Sequence, residues 1–146
     1  MNTQKVALIK GKNRQQNIAK ALKLLEKEIL ADFDKKLKNK KNPYILIKPN
    51  FITTRRQLAA THVDAIKAIL DFLKGKFRGK IIIGESAGIG RTKEGFKNYG
   101  YFELLKKYKN LELIDLNADE SIDVKGVGKK KKPLRLRLSK LLVKAP

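Results

Sequence analysis

"KIIIGESAGIGRT", residues 80–92, decides how the chain reads. Lys80-Ile81-Ile82-Ile83-Gly84 is a short apolar run of β-branched residues, the pattern of a strand buried on both faces. Glycines at 84, 88 and 90 follow, and a helical pattern begins at Thr92. Strand, glycine-rich turn and helix in that order form the repeating unit of a parallel α/β sheet.

The unit recurs along the chain. Lys5–Gly11 (KVALIKG) reads as a first buried strand, Tyr44–Asn50 (YILIKPN) as a second ended by Pro49, Lys80–Gly84 as the third and Leu111–Asn117 (LELIDLN) as the fourth. Between the first two, Asn13 caps a long helix, with Gln16 three residues on. Ile18, Leu22, Leu25, Ile29, Phe33 and Leu37 form its apolar face. The basic run Lys35–Lys41 suits its C-terminal end.

Phe51–Ala60 has no period and reads as a loop. Thr61-His62-Val63-Asp64 resembles a capping box that opens a helix with Ile66, Ile69, Leu70 and Leu73 inward. Thr92–Lys109 is helical with a break at Gly100. Four alternations predict an α/β fold: a mostly parallel, twisted sheet of about four strands with helices on both faces. After Asn117 the period changes to two, and Ser121–Val127, a turn through Lys129–Lys132 and Leu134–Leu138 predict a C-terminal β-hairpin. The 146 residues are expected to form a single α/β domain, with a βαβ core over 1–117 and the hairpin with the chain end over 118–146.

Composition narrows the function. There is no cysteine, hence no disulfide, thiolate metal site or iron–sulfur ligation from this chain. No apolar run suits a signal peptide or a membrane span, so a cytoplasmic protein with no membrane partner is expected. The formal net charge is +21, which attracts polyanions. Seven of the 35 basic residues are arginine and 28 are lysine. Base readout favours arginine, so solvated lysine faces are the simpler reading of most of this charge.

Gly84-Glu85-Ser86-Ala87-Gly88 fits the nucleophile-elbow pattern of hydrolases. A nucleophilic Ser86 needs a base, and the one histidine, His62, precedes it, against the usual Ser–acid–His order. Gly88 and Gly90 also delay the helix that an elbow requires at once. Dinucleotide and P-loop patterns are incomplete at Gly88–Lys93. What remains is a turn whose backbone N–H groups suit an anion, or simply a tight turn.

Open α/β sheets bind ligands beyond the carboxyl ends of their strands. That rule gathers Lys48, Asn50, Thr61, His62, Glu85, Ser86, Gly88, Asp115 and Asn117 at one rim. Lys48 would meet an anionic substrate, while His62, Glu85 and Ser86 are the candidate catalytic groups. Each has a local alternative: Asn50 and Asn117 in turns, Thr61 as a helix cap, Glu85 paired with a lysine. No metal site is expected, because one histidine and scattered carboxylates lack ligand spacing.

Six segments, VALIKG, ILIKPN, ATHVDAI, IIIGESAG, TKEGFKNYGY and LELIDLN, in this order and spacing, resemble the N-terminal half of the domain of unknown function 362 family. The resemblance implies an α/β fold and a rim at Lys48, Pro49, Asn50, Thr61, His62, Gly84, Glu85, Ser86, Asp115 and Asn117. Val63 stands where relatives often have proline. The family association with four-iron clusters implies a redox enzyme whose cluster lies in segments absent here. It further implies that this chain is about half of a longer domain, completed by a second-half chain or by self-association. The leading expectation is a small anionic ligand at the rim; the alternative is a lysine-rich nucleic-acid or polyanion module without catalysis.

Overall fold

A computed structural model describes residues 5–145. Its centre is a three-stranded parallel sheet in the order β1-β2-β3, with β1 at Tyr44–Ile47, β2 at Lys80–Glu85 and β3 at Leu111–Asp115. Tyr44 faces Lys80 in the β1–β2 register, and Glu85 faces Asp115 in the β2–β3 register. The central strand is buried from Ile81 to Glu85, as its unbroken apolar run requires.

One face of the sheet carries the main core. Ile45, Ile47, Ile81, Ile83, Leu111 and Leu113 pack against α3 (Val63–Leu73), α4 (Thr92–Asn98) and α5 (Phe102–Lys107). The α3 residues Ile66, Leu70 and Leu73 are almost fully buried, each contributing about 1.5–3 kcal/mol by area burial. Phe51 lies among Phe96, Tyr99 and Tyr101, with ring centroids 5.1 to 5.5 Å apart, three edge-on partners holding the loop after β1 to the helices after β2. On the opposite face a Cβ at Gly84 would stand 2.9 Å from Leu116 and 3.0 Å from Leu46, so glycine lets these side chains close over β2. Leu141 of the short helix α6 (Lys140–Lys144) joins Tyr44 and Ile82 around a shallow cleft on this side.

Three local expectations are corrected. Lys5–Gly11 is not a strand: Val6 is 87% and Leu8 92% exposed, and among the described residues the segment joins no sheet. Its apolar residues resemble those of β2, but pairing is not written in composition. The long first helix divides at Leu25 into α1 (Arg14–Leu24) and α2 (Glu26–Leu37), with no glycine or proline to mark the break. Asn13 does cap it, accepting from the Gln16 amide at 2.9 Å. The cap of α3 is His62 rather than Thr61: His62 Nδ1 accepts the Asp64 amide at 3.2 Å.

The hairpin forms as expected. Strands β4 (Ser121–Val127) and β5 (Pro133–Ser139) pair antiparallel, with Ile122 opposite Leu138 and Val124 opposite Leu136.

Candidate functional site

All nine rim residues lie at the carboxyl ends of the strands or in the turns that follow them. Eight of them fall into three groups, and Ser86 belongs to none of these. At the end of β1 and β2, Lys48 Nζ donates to Glu85 Oε2 at 2.8 Å and to the Pro49 carbonyl at 3.1 Å. Glu85 is 1% exposed, and its other oxygen accepts the Phe51 amide at 3.0 Å. A buried carboxylate is tolerable only when charge and hydrogen bonds both answer it, and here they do. Burial, with the Glu85 charge added to it, pushes the Tyr101 hydroxyl well above the ordinary tyrosine range.

The second group ties the loop to α3. Thr61 Oγ1 accepts the Asn50 amide at 2.9 Å, the Thr61 amide donates back to the Asn50 carbonyl at 2.8 Å, and Tyr101 donates to the Thr61 carbonyl at 2.9 Å. His62 is a third exposed on its side chain. Because Nδ1 accepts from a backbone amide, the neutral ring carries its proton on Nε2, which leaves that atom as a donor.

The third group closes the end of β3. Asp115 Oδ1 accepts the Asn117 amide at 3.0 Å, and the Asn117 side chain donates to Thr92 Oγ1 at 3.4 Å. Thr92 Oγ1 also accepts the Ala87 amide at 3.1 Å, and the Gly88 amide donates to the Phe51 carbonyl at 3.0 Å. The amides of Ala87 and Gly88 are therefore engaged within the protein. α4 begins only at Thr92, well after Ser86, and among the described residues no hydrogen bond joins Ser86 to His62. The geometry is that of a turn bound to its neighbours, without the immediate strand-to-helix step of an elbow.

Sequence reasoning missed the two tyrosines. Tyr99 donates to the Thr53 carbonyl and accepts the Arg56 amide at 3.1 Å, while Tyr101 holds Thr61. Their signal was the break at Gly100, whose φ of 75° reverses the chain between them. Among the described residues, no three His, Asp or Glu side chains gather as a metal site.

A three-stranded parallel sheet with its helices, followed by an antiparallel hairpin, makes this an α/β protein. Residues 45–145 match the family described as Domain of unknown function (DUF362), and the chain belongs to that family. The match begins at ILIKPN, so VALIKG lies outside it. No curated protein and no solved structure matches.

Proposed function

We propose that the chain binds a small anionic ligand at the rim, with Lys48 as the cation that meets it. The observation that carries this reading is the asymmetry of the Lys48–Glu85 pair. The carboxylate is sealed at 1% exposure, while the lysine side chain remains 37% exposed. The ammonium has three donors, and Glu85 and Pro49 take two. The third is available to a ligand, at a position already fixed by its partners. The Nε2 donor of His62, on the neighbouring turn, offers a second contact, and Ser86 follows Glu85 in the chain.

The test is an NMR titration of the labelled protein with inorganic phosphate and with citrate. Saturable shifts centred on residues 48–50, 61–62 and 85–86 are expected. They should vanish in the charge-free double variant Lys48→Met/Glu85→Gln once its spectrum shows it folded. Shifts spread evenly over the lysine surface would sink the rim reading.

The charge of +21 favours a second reading, a polyanion-binding module. Affinity for nucleic acid would then fall roughly a thousandfold or more between 50 and 200 mM salt for six or more phosphate contacts, whereas one small anion would be far less sensitive. A redox role beside an iron–sulfur cluster is suggested by the family association alone. This chain has no cysteine to ligate a cluster.

A further inference from the structure

Next to the rim, three aliphatic side chains stand in water: Ile52 is 57%, Leu58 98% and Ile89 67% exposed. Arg55, Arg56 and Arg91 are interleaved with them and also exposed. These six residues occupy one connected layer. Phe51 bridges to Ala60 and Thr53 to Ile89, the Ile52 amide donates to the Ala59 carbonyl at 3.1 Å, and the Thr54 amide donates to the Ile89 carbonyl at 3.1 Å. Beneath it, Asn98 donates to the Thr54 carbonyl at 2.9 Å and Tyr99 accepts the Arg56 amide. A loop held at so many points is not free to turn its aliphatic groups inward.

The layer is also selective in charge. Residues 50–63 and 86–93 contain no carboxylate, and three of the chain's seven arginines lie here in a protein otherwise dominated by lysine.

We propose that this loop layer docks on an anionic lipid surface. Exposed aliphatic carbon gains by leaving water for the acyl boundary, and guanidinium groups bind lipid phosphates at the same depth. Single-stranded nucleic acid fits less well, because its bases stack on aromatic rings, and the rings of this region, Phe51, Tyr99 and Tyr101, are buried beneath the layer. A second copy would set arginine against arginine. The sequence pointed to no membrane partner because run length reports only on spanning segments, whereas these residues are scattered in sequence and gathered by the fold. The proposal rests on none of the rim residues, so it stands or falls separately from the anion site.

A chain of this charge adheres to anionic vesicles by Coulomb attraction alone, so the test holds charge constant. Co-sedimentation with phosphatidylglycerol–phosphatidylcholine vesicles compares the protein with its Ile52→Ser/Leu58→Ser/Ile89→Ser variant. In parallel, an environment-sensitive dye is placed at Leu58→Cys or, as control, at Lys129→Cys, which is clean because the chain has no other thiol. The expected result is roughly tenfold weaker partitioning of the triple variant, one decade being a modest share of three aliphatic burials. The dye at position 58 should shift to the blue with vesicles, and the dye at 129 should not. Unchanged partitioning of the variant overturns the proposal, as does an unshifted dye at 58 on sedimented protein. A larger dye response to polyuridylate than to vesicles would overturn it in favour of nucleic acid. A dimer in light scattering that the triple variant abolishes would overturn it in favour of a second copy.

Discussion

Lys48 Nζ and Glu85 Oε2 lie 2.8 Å apart, yet one side chain is 37% and the other 1% exposed. The two halves of this pair are therefore not equivalent. Removing the lysine strands a buried carboxylate; removing the carboxylate frees a lysine that can turn to water.

Lys48→Met should accordingly destabilise the fold by about 3 kcal/mol, the low end for breaking a buried pair because the lysine is partly solvated. Glu85→Gln retains an oxygen for the Phe51 amide and should cost about half as much. The double variant should lose less than the sum, and urea unfolding of the three proteins measures the difference. Equal, additive losses would mean that the pair is not coupled.

Thr54 is fully buried, and its Oγ1 is the buried side-chain polar atom left without a partner among the described residues. The cause is next to it: Gly90 adopts a φ of 91° and closes the loop over Thr54, so that a Cβ at Gly90 would run into the hydroxyl. Thr54→Val removes the unpaired group at nearly constant shape and should stabilise by about 1 kcal/mol. Gly90→Ala should instead destabilise by about 1–3 kcal/mol through backbone strain and the collision. Thermal unfolding in which Thr54→Val is the less stable protein would show that the hydroxyl has a partner in solution.

Tyr101 links the core to the rim, and burial followed by the Glu85 charge raises its hydroxyl above the ordinary value of 10.0. A group whose proton is held more tightly in the folded state contributes stability that is complete below the unfolded value. That contribution is lost as pH rises from there through the folded value. Tyr101→Phe should lose about 1 kcal/mol at pH 7, where the bond to the Thr61 carbonyl is missing. Above pH 10 the variant should decline less steeply than the unsubstituted protein, and the two curves should converge. Parallel decline in urea titrations across that range would remove Tyr101 from the alkaline transition.

How much of this was legible follows from what each signal encodes. The β2 run, uniformly apolar, could only be a doubly buried strand, and the rule for carboxyl ends then placed Lys48, Glu85 and Asp115 on one rim. The ion pair itself was foreseen only as an alternative for Glu85, since sequence gives no distances. The Thr61 cap was placed one residue early because His62, which caps through a ring nitrogen, is a rarer cap than threonine. The layer of Ile52, Leu58 and Ile89 was invisible, because solvent exposure of an aliphatic residue in a loop is decided by which neighbours the backbone bridges bring to it. Lys5–Gly11 failed for the complementary reason: an apolar run states that burial would be favourable, and a strand needs a partner edge as well.

That last difference yields a direct measurement. Leu8 is 92% exposed and Ile82 4%, although the residues around them are alike in sequence. Leu8→Ser should change stability by no more than about 0.5 kcal/mol, as surface substitutions do, while Ile82→Ala should cost about 2–5 kcal/mol. Hydrogen exchange extends the contrast to the backbone: amides 6–10 should exchange freely, and those of β2 only by global unfolding. If Leu8→Ser cost as much as Ile82→Ala and amides 6–10 were protected, the segment would have to be paired in solution, and the outer edge of β1 would be the place to look for it.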